Sequence, residues 1–460
     1  MRPRISIHCA ATAVLTTFII GAVVSCSRDS GTLTPAPPND DPIVFADDFG
    51  SYCTFQAFLG SKVDAVAVVT DEKVLGTSAL LVTVPGPGDP SGTYAGGAFT
   101  TSLARQLMGY DALTFWAKAS MPAVLDVAGL GNDNTGTSKY EAKWHDISLT
   151  TTWTKYVVPI PLPEKLVSEE GLFFFAEGPE NGIGYRVWLD EIRFEKLGTI
   201  SNPRPSITPK TVGTFVGATV NIEGTRTRFN VGGTDEIIEH SAGYFTFTSS
   251  ADTVATVTDG VVRVVGDGSA TITGKLGAVD ATGAVTVTAT TPPANAPPTP
   301  TVPAANVISL FSDAYSNVPV DTWSANWPDM ADVADAQFAG NDVKVYTSLV
   351  YAGIEFTTQT IDATTMTHFH LDVWAPTGTN FRVKLVDFGA NGVYSGGDDR
   401  ESELIFTAAS TPAFVAGTWA SLEIPLANFV GLTTRAHLAQ LILSTSDART
   451  AYVDNVYFHR

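Results

Sequence analysis

The chain has 460 residues, enough for about three domains, with 40 glycines, 27 prolines and a formal net charge of −20. Apolar runs with the 3.6-residue helical period are scarce and alternating strand-type runs are common, so the composition points away from helical folds and toward an all-β protein rich in turns. A surface this acidic repels nucleic acid and other polyanions, which leaves neutral partners and divalent cations; the same charge also suffices to keep an exposed protein soluble.

Residues 1–25 read as a targeting leader. Arg2 and Arg4 precede an apolar run from Ala11 to Val24 that is too short to span a bilayer. The run ends in Val23-Val24-Ser25-Cys26, which resembles a bacterial lipobox with Val23 where Leu is usual. That resemblance implies lipidation at Cys26 and anchoring in the outer membrane with the protein on the cell surface; a plain secretory signal is the alternative reading. Residues 26–42 are small, polar and Pro-rich, as a flexible tether would be. Cys9 leaves with the leader and Cys26 takes the lipid, so Cys53 has no disulfide partner. No activating base can be assigned to it, and a buried structural thiol is expected.

Residues 43–197 form a first β module, with strands expected near 112–117, 123–128, 153–160 and 185–195 and a loop over Gly129 to Gly136. Asn202-Pro203-Arg204-Pro205 reads as a short linker. Residues 206–290 are dominated by Thr, Val and Gly, with Asp259-Gly260 between two alternating apolar runs as a hairpin signal. Residues 291–305 are a polyproline-type sequence running through Pro292, Pro297 and Pro303. Such a spacer rises about 3.1 Å per residue and is expected to hold the following module away from the rest.

Residues 306–460 repeat the pattern of the first module. Asp47 and Asp313 stand in aromatic, acidic openings (Phe45 to Phe49, Phe311 to Tyr315). Trp116 and Trp374 sit in later strands, Trp153 and Trp419 begin a run ending in Ile-Pro-Leu, and Asp190 and Asp454 lie in the last strands. Asp190 follows Asp47 by 143 residues and Asp454 follows Asp313 by 141. One β module of roughly 150 residues is therefore used twice.

These runs carry three resemblances. Val254-Ala255-Thr256-Val257, Gly260-Val261-Val262 and Val265-Gly266-Asp267-Gly268-Ser269-Ala270-Thr271-Ile272-Thr273 resemble the second half of a bacterial group 2 immunoglobulin-like domain, a spacer or adhesive unit. The landmarks of the last module resemble carbohydrate-binding modules with a jelly-roll sandwich. More narrowly, Val307 to Tyr315, Thr367 to Trp374, Val383 to Gly389 and Tyr452 to Phe458 resemble the C-terminal domain of Bacteroidetes surface lipoproteins and family 16 glucanases. The first module matches the jelly-roll pattern only loosely. The expected fold is thus all-β, two jelly-roll sandwiches separated by an immunoglobulin-like sandwich.

Two constellations carry candidate chemistry. His368, His370 and Asp372 share one strand face opposite Phe369, Leu371 and Val373, and Arg382 and Lys384 alternate likewise with Phe381, Val383 and Leu385. Were these strands neighbours, imidazole, carboxylate and cation would form a row able to bond vicinal sugar hydroxyls. Trp323, Trp327, Tyr351 and Tyr394 would offer rings to the C–H faces of a sugar. The same residues also fit an ordinary polar sheet face, and a metal site at His368 and His370 lacks a clear third ligand. The second constellation pairs Asp47 with Asp190 and Asp313 with Asp454. Two carboxylates brought together require a cation or a proton. Hard oxygens favour Ca²⁺, and the resemblance to carbohydrate-binding modules implies a structural calcium there, a simple turn-capping role being the alternative.

No Glu begins a Glu-x-Asp-x-x-Glu run, and Gly-x-Ser-x-Gly, His-Glu-x-x-His and phosphate-loop motifs are missing from the sequence. The reading that results is a noncatalytic, lipid-anchored surface protein that captures polysaccharide, with a neutral β-glucan such as laminarin implied by resemblance, for an uptake system with an outer-membrane glycan transporter. A structural or adhesive surface protein and a glycan-cleaving enzyme with an unrecognised site are the alternatives.

Overall fold

A computed structural model describes residues 39–460; the leader, Cys26 and residues 27–38 of the expected tether lie outside the described residues. The chain is all-β, built from sheets that are antiparallel except where Lys210–Phe215 runs parallel to Val285–Thr290, with a few single-turn 3₁₀ segments. Among the described residues no helix is long and apolar enough to cross a membrane.

The duplicated sequence pattern is a duplicated topology. In the first sandwich one sheet runs Val66–Val69, Ala79–Thr83, Arg186–Glu195, Ala112–Ala119, Thr154–Pro159, with Ile43–Phe45 paired to Arg186–Glu195. In the last sandwich the order is Asp332–Phe338, Asn341–Thr347, Ala451–His459, His368–Trp374, Ala420–Pro425, with Val307–Phe311 paired to Ala451–His459. The sheets also correspond on the other side of each core. Ala95–Arg105, Glu169–Glu177, Ala123–Leu130 and Ala142–Leu149 match Tyr351–Glu355, Leu438–Ser444, Asn380–Asp387 and Arg400–Thr407, the first set gaining Cys53–Ala57 at one edge. Alternation builds each core: Phe115, Phe173 and Phe175 in the first, Phe369, Leu371, Phe381, Val383 and Leu443 in the last.

The middle segment has its own core around Val220, Val262, Ile272 and Val287. Asp259 and Gly260 both take positive φ, as a two-residue hairpin turn between Ala255–Thr258 and Val261–Val264 requires.

Four expectations are corrected. Gly129 and Leu130 close the strand Ala123–Leu130 and are not loop residues. The stretch expected as a linker is the strand Ser201–Ser206, paired through Arg226–Val231 and Thr234–His240 to Ala142–Leu149, so the first sandwich's sheet continues as eight strands into the middle segment. The cause is apolar: Phe229, Ile238 and Tyr244 belong to the first sandwich's core, and burying them carries the hairpin onto its sheet edge. The Pro-rich spacer does not hold the last module away. The carbonyls of Asn295, Pro298 and Val302 accept hydrogen bonds from Trp419 Nε1 (2.7 Å), Asn455 Nδ2 (3.4 Å) and the Tyr315 hydroxyl (2.8 Å). Carbonyls with no ladder partner are satisfied by laying the segment along the module. Phe215 of the middle segment packs on Phe338 and Tyr452 beside it.

Finally, the tether does not reach residue 42. Arg105 is fully buried, and its guanidinium donates to the carbonyls of Asp41 (2.8 Å), Ile43 (2.6 Å) and Ser51 (3.0 Å), fixing the chain from about Asp41 onward. The neighbouring Cys53 is buried, and burial pushes its thiol up to about 11, so it is held as the neutral, unreactive form at neutral pH.

Arg105→Leu would strand three carbonyls inside the protein, and we expect a loss of about 3 kcal/mol of stability from the urea midpoint. Arg105→Lys should recover little of it, because an ammonium lacks the planar fork. A loss below about 1 kcal/mol would refute this role.

Candidate functional site: a ring-lined cleft on the last module

The strands Tyr351–Glu355, Leu438–Ser444, Asn380–Asp387 and Arg400–Thr407 turn their alternate apolar residues into the core and present the rest outward. Their registers arrange the outward residues in three rows across four strands. One row is Glu355, Gln440, Val386, Glu401; the next is Gly353, Ile442, Lys384, Glu403; the third is Tyr351, Ser444, Arg382, Ile405. Polar contacts knit this floor together. Gln440 Nε2 donates to Glu355 (2.9 Å), Lys384 Nζ meets Glu401 (2.8 Å), and Arg382 meets Glu403 (3.2 Å).

Rings stand at both ends of the floor. Trp327 lies on Gly353, where an added Cβ would come 2.5 Å from the indole carbons, and its ring is 6.1 Å from that of Tyr351. At the other end Tyr394, 61% exposed, packs on Phe388 with centroids 5.6 Å apart. Between them lies a cleft of ≈ 350 Å³ lined by Trp327, Glu355, Lys384, Phe388, Tyr394, Glu401 and Gln440, among others. Donors, acceptors and exposed ring faces thus share one open surface.

Of the expected residues, Trp327, Lys384 and Tyr394 line this cleft, and Tyr351 and Arg382 occupy the adjoining row. Trp323, His368, His370 and Asp372 do not. The chain crosses from one sheet to the other between Trp374 and Asn380, so the His368 strand and the Lys384 strand belong to different sheets and cannot form one row. Trp323 packs edge-on against Phe311 and beneath the Lys344 ammonium, 4.9 Å from its centroid. Asp372 is buried, accepting from Ser421 Oγ (2.5 Å) and Asn455 Nδ2 (2.8 Å). His370 stacks on Tyr457 and bonds Glu423 (2.7 Å); burial depresses its pKa, but Asp372 and Glu423 outweigh that and raise it.

Glu355, Gln440 and Phe388 are not among the expected ligand-binding residues, and Glu401 reads in sequence as part of the acidic, Gly-rich stretch Asp387 to Glu401. A signal for Gln440 existed: it is the one amide inside the strand Leu438–Ser444, flanked on both sides by apolar residues. On the equivalent face of the first module one ring stands in a comparable place: Tyr94 lies on Gly96, where an added Cβ would come 2.9 Å from it. Gly96, Ala98, Ala176 and Gly129 give the rest of its centre small side chains, and Phe174 is buried there against Gly129.

The acid pairs occupy equivalent places. Asp190 and Asp454 are both fully buried, each beside an acid of its module's opening segment. In the first module, Asp47 accepts from the amides of Thr77 and Ser78, and Asp190 from those of Val74 (2.9 Å), Leu75 (3.3 Å) and Glu191 (2.7 Å). Those amides already compensate much of the carboxylate charge. In the last module, among the described residues, Asp454 has only Asn341 Nδ2 and the Asn455 amide, both at 2.6 Å, and Asp313 only the Asp342 amide (2.9 Å). Burial pushes Asp454 up to about 6, with the neighbouring Asp372 and Asp313 charges adding to the effect. This oxygen-rich, under-compensated group fits a hard divalent cation; the first does so less well.

No family description matches the chain, and no curated protein does. Among solved structures it is similar to the family 30 carbohydrate-binding module of the cellulosomal cellulase Cel9D-Cel44B of Clostridium thermocellum, at 15% identity over 33% of this chain and 96% of that chain, TM-score 0.27. The N-terminal CBM22-1-CBM22-2 tandem domain of Xyn10C from Paenibacillus barcinonensis is 11% identical over 92% of this chain and 98% of that chain, TM-score 0.23. A β-1,2-glucanase from Parabacteroides distasonis is 12% identical over 55% of this chain and 39% of that chain, TM-score 0.24.

If Gly353 seats Trp327, Gly353→Ala should lift the indole into water. The expected outcome is a red shift of tryptophan emission with the sheet's circular dichroism unchanged. An unshifted spectrum would show that the ring does not rest on this glycine.

Proposed function

We propose that this chain is a noncatalytic polysaccharide-capture protein whose working face is the ring-lined cleft of the last module. The observation that carries this reading is the floor of alternating carboxylate, amide and ammonium groups flanked by Trp327 and Tyr394. Vicinal hydroxyls need donors and acceptors together, and the C–H faces of a pyranose need apolar rings. The ligand favoured is a neutral β-glucan such as laminarin, since a chain of net charge −20 repels acidic glycans. In this reading Cys26 carries a lipid anchor in the outer membrane, the protein faces outward, and the captured glycan passes to a transporter. The first module, whose corresponding face carries Tyr94 among mostly small residues, serves in this reading as scaffold.

Affinity electrophoresis through gels containing laminarin and other neutral polysaccharides tests this. Retardation of the native protein is expected. Trp327→Ala should weaken binding at least tenfold, about 1.4 kcal/mol, whereas Trp323→Ala should leave it intact. Mobility unchanged by every neutral glycan would overturn the reading.

We further propose that Asp313 and Asp454 hold a structural Ca²⁺ in the last module, neutralising charge that Asp454 shares with Asp372. Asp454 has its folded pKa raised above the unfolded carboxylate range, so the native state binds the extra proton and stability falls as pH rises from about 4 to 6. In chelator at pH 7, Asp454→Asn should therefore stabilise the protein by about 2 kcal/mol. Added Ca²⁺ should stabilise the native chain and not the variant. Equal responses of the two to Ca²⁺ would rule the site out.

A further inference from the structure

The other face of the last sandwich carries a second cluster that the cleft does not use. His368 and His459 are directly opposed across neighbouring strands, and Glu423 lies on the strand beyond His368. One ligand atom from each of these three residues lies within 4.8 Å of the others, the single group of three or more such side chains that meets this spacing among the described residues. Three of the chain's seven histidines, counting His370, meet on this patch.

We propose that His368, His459 and Glu423 bind a divalent first-row transition metal ion of the zinc class. Two imidazoles and one carboxylate are a borderline donor set that selects zinc-like ions over Ca²⁺ or Mg²⁺. The side chains are held for it. The two imidazole rings lie parallel, 10° apart with centroids at 5.1 Å, so their nitrogens point along one surface. Thr367 Oγ1 lies 2.9 Å from His368 Nδ1, which fixes that ring and leaves Nε2 with no hydrogen-bond partner among the described residues. Glu423 bridges His459 Nε2 (2.5 Å) and His370 Nδ1 (2.7 Å). Asp372 Oδ2 stands 3.5 Å behind His370 Nε2. His370 is therefore a positioning residue: backed by Asp372, it holds the ligand carboxylate, as outer-sphere groups do around zinc. Tetrahedral zinc with ligands at about 2.1 Å needs ligand atoms about 3.4 Å apart. The Glu423 side chain, 46% exposed, can swing from its 2.5 Å contact with His459 Nε2 to that spacing. Three protein ligands leave a fourth position for water or an incoming donor.

The cluster lies on the sheet opposite the cleft, so this inference stands independently of glycan capture. Zinc titration of the full chain by calorimetry, in buffer saturated with Ca²⁺ to mask hard-oxygen sites, should show one tight site. The double variant His368→Ala/His459→Ala should weaken it at least thirtyfold and Glu423→Gln about tenfold. His145→Ala, remote from the cluster, should not alter it, and retardation by glycan should be the same with and without zinc. Because a variant can misfold, Co²⁺ provides a reading on the native chain: intense visible d–d absorption, displaced by zinc, marks a tetrahedral nitrogen–oxygen site. Zinc uptake that survives in a folded double variant, or Co²⁺ giving only the pale spectrum of the hydrated ion, would overturn the proposal.

Discussion

A fully buried carboxyl in the middle of a sheet is costly unless the backbone turns to meet it, and both sandwiches are shaped around that demand. Asp190 and Asp454 sit in the closing strand of each module, flanked by sheet on both sides. Immediately after each comes a residue in the left-handed region, Glu191 at φ 49° and Asn455 at φ 50°, whose amide donates back to the acid. The pairing register slips at the same point in both copies. Such a bulge twists the strand and re-aims its remaining side chains. Past the bulge, the opening strand of each module, Ile43–Phe45 or Val307–Phe311, pairs with the closing one. The same local device therefore closes both sandwiches, and the opening acids Asp47 and Asp313 arrive beside the buried ones as a result.

This device was legible as sequence because it is local. The alternating runs around Asp190 and Asp454, the Trp-bearing strands and the near-equal spacing all survive as one repeated strand order. Which sheet a strand joins was not legible. His368, His370 and Asp372 alternate as a strand must, and their apolar neighbours do face the core. Periodicity cannot say, however, that the turn after Trp374 carries Arg382 and Lys384 into the opposite sheet. Trp323 illustrates a second limit. A ring in a loop reads as available for a ligand, and only packing reveals that Lys344 and Phe311 already occupy it. Gly353 belongs to the same class, since its lack of a side chain acquires meaning only through Trp327.

The middle segment shows why composition misled at the boundaries. Pro-rich stretches look like linkers because they lack a helical or alternating pattern. Here prolines occupy a strand, Ser201–Ser206, at the outer edge of an eight-stranded sheet, where a missing amide costs no ladder bond on the solvent side. The second stretch, residues 291–305, has its carbonyls taken up by Trp419, Asn455 and Tyr315. In both places the unmet backbone groups of proline-containing chain found partners on a neighbouring module.

The eight-stranded sheet has a mechanical consequence. Ladder hydrogen bonds run from the first sandwich into the middle segment through Lys143, Ala142, Glu239 and His240. Ring contacts continue from Phe215 into the last module. A pull on something gripped near Trp327 would thus reach the first sandwich as shear across paired strands and pressure between aromatic faces, and not as tension on one covalent thread. Parts joined in this way yield together, and the heading of the cleft is set by the whole bracket.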